Sequence, residues 1–116
     1  MYVKNINDIK KETVEVGDKT QRQILIGPDN APNFAMRRFI LEPGGSMPEH
    51  TNTVEHEQYV LNGKAEIGIG GQVYEVKKND VVFIPANIAH WYKVKGNESF
   101  EFLCMVPNKE DIVQLV

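Results

Sequence analysis

Three histidines, His50, His56 and His90, are the residues of this chain whose type and spacing could do chemistry. A neutral imidazole is the commonest protein ligand for a transition metal. His50 and His56 stand in residues 42–63, EPGGSMPEHTNTVEHEQYVLNG, between a Pro-Gly-Gly and an Asn-Gly, and His90 stands in FIPANIAHWY. Three imidazoles on strand-like, turn-bounded segments point to a metal site inside a β-structure. Such a set carries no carboxylate, so the ion's charge would be left for an anion to balance: hydroxide, a substrate carboxylate, enolate or thiolate, or superoxide. The chemistry open to it is Lewis-acid polarisation, or the meeting of substrate and dioxygen on a redox metal.

The elements that must position these groups follow from strand parity. His50 and Asn52 share one face of an extended strand, and His56 keeps that parity if the strand resumes after an Asn52-Thr53 bend. The same alternation places Gln58 and Val60 with His56, and Tyr92 with His90. It turns Phe100, Phe102 and Cys104 inward and Glu101 outward. Glu55 and Glu57 point away from His56 and read as outer or solvated carboxylates. Trp91 and Tyr92 are candidates for the pocket mouth. Arg37 or Arg38 could anchor a substrate carboxylate through a bidentate contact.

Along the chain, residues 1–11 lack a clear period and read as an arm or edge strand. Residues 12–16 (ETVEV) and 21–26 (QRQILI) alternate as strands, and Gly27-Pro28-Asp29 closes the second. Residues 34–41 (FAMRRFIL) carry apolar groups on both faces, which suits a sheet covered on both sides. Pro43-Gly44-Gly45 predicts a turn. Asn62-Gly63 predicts a type I′ hairpin joining residues 58–61 to 64–69, and Gly70-Gly71 a second hairpin into 72–76. Residues 81–84, 90–94 and 100–106 complete the strands, and only the tail, 108–116, could be helical. The count and spacing of these strands predict an all-β sandwich or barrel.

The chain has 116 residues and a formal net charge of -3, with 41% hydrophobic and 25% charged residues. That length supports one core without covalent staples and one domain, 1–116. The acidic balance and the dispersed Lys and Arg argue against nucleic-acid or anionic-membrane binding, and there is no apolar run long enough for a membrane helix. The single cysteine, Cys104, fits a reducing compartment. With no apolar leader in MYVKNINDIK, the expected location is cytoplasmic.

From Gly44 or Gly45 through His50, Asn52 and His56 to Gly63, the chain resembles the first cupin motif, in which a glycine precedes His-x-His, a glutamate and a second glycine. Asp80, Pro85, Asn87 and His90 resemble the second motif, with Asp80 and Asn87 in place of glycines; both residue types tolerate turn conformations. The resemblance implies a small single-domain cupin, that is, an all-β double-stranded β-helix or jelly roll with little or no helix. The family's ligand positions fall on His50, Asn52, His56 and His90, with Asn52 where the family has a histidine and His56 where it has a glutamate. That second exchange resembles the four-histidine small cupins and the three-histidine thiol dioxygenases. The resemblance further implies one divalent transition metal ion (Fe, Mn, Ni, Zn or Cu) and a homodimer that pairs through a sheet face and an exchanged N-terminal strand. The expected activity is that of a metal-binding cupin, a dioxygenase or oxidoreductase acting on a small organic anion, with Gln58, Tyr92, Phe102, Cys104 and Arg37 lining the pocket. The alternatives are a non-catalytic module that senses or sequesters a small molecule, and a metal-independent isomerase or epimerase.

Overall fold

A computed structural model describes residues 1–116. Ten strands follow one another: β1 (Glu12–Thr13), β2 (Asp18–Ile26), β3 (Phe34–Thr51), β4 (His56–Asn62), β5 (Lys64–Ile69), β6 (Gln72–Lys77), β7 (Val81–Ile84), β8 (His90–Lys95), β9 (Phe100–Pro107) and β10 (Gln114–Leu115). The spatial order along the main path is β6-β5-β8-β3-β9-β4-β7, with β2 and β10 also on β3, and every pairing is antiparallel. The chain is therefore an all-β curled sheet. Its one helical element is a 3₁₀ turn, Ile6–Asp8, in the N-terminal arm. No helix is long and apolar enough to cross a membrane.

β3 makes this topology possible. Its first half lies between β2 and β9, and its second half passes to β8 and β10. The bend falls at residues 42–45, where the sequence predicts a turn. The strand instead continues through an irregularity. Asp18 faces Ser46 while Thr20 faces Leu41, so the extra β3 residues are accommodated opposite Lys19, and both Lys19 and Gly44 take positive φ. A Pro-Gly-Gly signal serves a bulge as well as a turn. β1 is likewise shorter than residues 12–16.

The Asn62-Gly63 expectation also needs correcting. β4 and β5 do not pair; β4 lies on β7 and β9, whereas β5 lies on β6 and β8. The dipeptide is a corner where the chain crosses between the two halves of the fold. Only Gly63 of the pair has positive φ, and a Cβ there would stand 2.2 Å from the Ser99 carbonyl oxygen. The glycine serves that close backbone approach. Asn62 Nδ2 donates to the same Ser99 oxygen at 3.0 Å. The Gly70-Gly71 hairpin forms as expected, with Ile69 opposite Gln72 and both glycines at positive φ.

The tail is not helical. Gln114 and Leu115 pair with Thr51 and His50, and Val116 N–H donates to Glu49 O at 3.0 Å. This lays the tail beside the histidine segment.

The core lies inside the curl. Leu41, Val60, Ile67, Phe100 and Cys104 are fully buried. The rings of Phe39, Phe102 and Tyr92 stack in sequence, 5.2 and 5.3 Å between centroids. Above this stack the core gives way to polar side chains.

Candidate metal centre

The buried polar residues His50, Asn52, His56, Gln58 and His90 share one cavity of about 210 Å³ with Arg37, Tyr92, Phe102 and Cys104. Each histidine stands at a strand end. His50 is near the end of β3, and His56 and His90 open β4 and β8. His50 and His90 are direct register partners, which brings their rings to 4.2 Å between centroids. The His56 and His90 rings are 5.6 Å apart.

Two of the imidazoles have their tautomer set by backbone. His50 Nδ1 lies 2.7 Å from Pro48 O and His90 Nδ1 lies 2.9 Å from Ile88 O. A carbonyl only accepts, so each Nδ1 carries the proton and each Nε2 keeps its lone pair. The Nε2 atoms of His56 and His90 are buried without a partner. Burial, helped by the Arg37 charge, pulls the pKa of His56 down to about 3. Burial likewise lowers that of His90 to about 4, against the opposing hydrogen bond to Ile88. Both rings are neutral near pH 7, the form that binds a metal.

Asn52 completes the polar wall. Its Nδ2 donates to Asp111 Oδ2 at 2.8 Å, and its Oδ1 is buried without a partner. Asp111 is held in turn by Thr53 N–H, which donates to Oδ1 at 2.9 Å. Below, Gln58 Nε2 donates to Tyr92 Oη at 2.7 Å, and burial pushes the Tyr92 phenol far above its usual range, so it stays protonated. Burial also raises the Cys104 thiol, against the pull of Arg37.

Arg37 is the unusual cation. Its one hydrogen bond runs from Nη2 to Cys104 Sγ at 3.3 Å, its Nε is buried without a partner, and no carboxylate pairs with it. Arg38, its neighbour, points the other way and pairs with Glu101 and with Gln23 Oε1. Of the two arginines weighed from sequence, the cavity contains Arg37.

His50, Asn52, His56, Gln58, His90, Tyr92, Phe102, Cys104 and Arg37, all singled out from sequence, line this cavity. Trp91 does not, and lies across from Gly68 instead. The sequence reading missed Asp111 and Val113 from the tail and Arg22, Phe39 and Met47 from the walls. A tail without periodicity carries no signal of where it docks, so Asp111 was out of reach.

No three His, Cys, Asp or Glu side chains are drawn tightly enough to enclose an ion. The donor set nevertheless fits one. Buried donors are ordinarily satisfied, yet two imidazole nitrogens and an amide oxygen are left bare here, and the Nδ1 atoms of His50 and His90 are tied to backbone carbonyls as in metal-ligating histidines.

Comparison with known proteins agrees with this architecture. The cupin domain family matches residues 37–106. The polyketide cyclase RemF of Streptomyces resistomycificus superposes with a TM-score of 0.92 at 30% identity, covering 100% of this chain and 85% of that one. The 1-methylthio-D-xylulose 5-phosphate methylsulfurylase of Rhodospirillum rubrum is 31% identical over 81% of this chain and 60% of its own length. The acireductone dioxygenase of Alcanivorax borkumensis is 26% identical over 89% of this chain and 56% of its own. The chain thus spans little more than half the length of these two curated relatives. It belongs to the cupin family, as a small all-β cupin barrel.

Proposed function

We propose that this cupin is a metal-dependent enzyme acting on a small, enolisable organic anion, with dioxygen as co-substrate. The observation that carries this reading is the pairing, in one cavity, of bare neutral donors with an unpaired guanidinium. His50, His56 and His90 would hold one divalent ion. That ion would supply Lewis-acid polarisation of an enol oxygen and, if redox-active, access to dioxygen. A half-buried guanidinium with no carboxylate partner favours an incoming anion, and Arg37 offers a planar donor fork to a substrate carboxylate or enolate. The stacked Phe39, Phe102 and Tyr92 floor keeps water from below. Of the two arginines in the lining, Arg22 is paired with Glu12, which leaves Arg37 as the cation free to take an anion. The names of the relatives agree, since acireductones and polyketide chains both enolise.

A non-oxidative cyclisation is the second reading, favoured by the likeness to the polyketide cyclase over the whole chain. One experiment separates the readings. The protein is loaded with iron, manganese, nickel, zinc or copper and offered enediols, β-diketones and thiols in an oxygen electrode. Oxygen uptake that depends on metal and substrate supports the dioxygenase. Substrate loss without oxygen uptake supports the cyclase. Binding without turnover leaves a sensing or sequestering module, and turnover by chelated protein a metal-independent isomerase. A homodimer belongs to the same proposal, supported by the exposed apolar Val73, Tyr74, Val81 and Phe83 on β6 and β7, and light scattering tests it.

A further inference from the structure

Resting on the metal reading above, we infer that Asn52 is an oxygen ligand and that Asp111 is the positioning residue that turns its amide oxygen toward the ion. The two ends of an amide are alike in shape, so what fixes one is its partner. An ionised carboxylate only accepts. With Asp111 Oδ2 at 2.8 Å, the Asn52 partner is obliged to be Nδ2, and Oδ1 is obliged to face the cavity, where it is buried and bare. While the tail is docked the carboxylate is held in this orientation, because Thr53 N–H holds its other oxygen at 2.9 Å and Ile112 N–H donates to Thr53 Oγ1 at 2.9 Å. The backbone of Asn52 is also pinned, accepting from Asn87 N–H at 2.7 Å. A hydrogen bond to a carboxylate makes the amide oxygen a better donor. The chain's acidic group thus acts at one remove, through Asn52. The set becomes three nitrogens and one oxygen, which leans toward harder ions than a four-imidazole set does.

An isosteric exchange tests this. In Asp111→Asn the new side chain keeps Thr53 through its oxygen and presents its amino group to Asn52. Asn52 then has to turn its oxygen outward and its amino group inward. The metal-stripped protein is titrated with Mn(II) by calorimetry, and the melting of each metal-free variant is recorded to compare folding. Asp111→Asn is expected to weaken Mn(II) binding about 10- to 100-fold. Adding Asn52→Asp should restore it, because the reversed pair again places an oxygen on the ion and an amino group on the carboxylate. Asn52→Ala should weaken binding at least as much as Asp111→Asn. Unchanged affinity in Asp111→Asn or in Asn52→Ala overturns the inference and leaves the metal reading standing. So does an Asp111→Asn loss that the double exchange fails to restore, which would make Asp111 merely structural. A wild-type protein that takes up no metal ion of any kind overturns the metal reading itself and this inference with it.

Discussion

Cys104 Sγ lies 3.5 Å from His56 Nδ1, and Arg37 Nη2 approaches the same sulfur at 3.3 Å. The sulfur therefore joins an imidazole of the candidate metal site to the guanidinium of the candidate anion site. His50 and His90 have carbonyls behind them, whereas His56 has this sulfur. Cys104→Ala should remove the partner that sets the His56 ring. The expected result is metal retention reduced about tenfold against a competing chelator, with a stability cost near 1 kcal/mol for the small void. Metal analysis after chelator dialysis and urea unfolding check the two parts. Cys104→Ser, which keeps a hydrogen-bonding atom, should retain more metal than Cys104→Ala.

Arg37 should trade stability for binding. A hydrogen-bonded charge pair contributes roughly 1.5–3 kcal/mol, so Arg37→Leu should weaken oxalate binding to the metal-loaded protein by about 10- to 100-fold. Arg37→Lys should recover only part of that, since an ammonium lacks the planar fork. The metal-free Arg37→Leu protein should melt no lower than wild type, because a half-buried cation with no carboxylate partner is removed and a leucine can still pack against Phe39. A marked fall in melting temperature with unchanged oxalate affinity would contradict the assignment.

Acid should destabilise the metal-free protein through its histidines. Folding lowers the pKa of His56 from 6.5 to about 3 and that of His90 from 6.5 to about 4. Between those values the unfolded chain holds protons that the folded chain does not, so stability rises with pH. Their contribution is complete above pH 6.5, falls as pH drops below it, and levels off near pH 3. Each histidine contributes a slope of up to about 1.4 kcal/mol per pH unit inside its window. Denaturant midpoints measured from pH 7 downward should trace this fall, and His56→Gln should flatten it.

Gly68 is required by Trp91. The two are register partners on β5 and β8, and a Cβ on Gly68 would stand 1.9 Å from Trp91 Nε1. Gly68→Ala should expel the indole from its place over the strand at a cost of about 1–3 kcal/mol. Trp91 is the chain's one tryptophan, so its fluorescence should shift to the red while the cavity, which it does not line, keeps its metal.

Strand parity in these segments is legible in the sequence itself. Alternation alone predicted that His56, Gln58 and Val60 turn inward together, as do Phe100, Phe102 and Cys104, and all six are buried. Period-two parity is local physics, and the buried face enforces it. The Asn-Gly and Pro-Gly-Gly signals predict turns, and both are crossings between the halves of the fold. A positive φ is a local need that a hairpin, a corner and a bulge share, and only the strand pairing tells them apart. Asp111 stayed invisible because its role depends on where a short tail docks.

The 18 residues of β3 run through both halves of the fold and carry Arg37 and Phe39 at one end of the site and Met47 and His50 at the other. Slow amide hydrogen exchange should therefore extend along most of this strand, released only by opening of the entire barrel. The tail is different: two ladder residues and a few bonds to Thr53 and Glu49 hold it. Its amides should exchange early and separately, so the pocket would shed its one carboxylate long before it surrendered an imidazole.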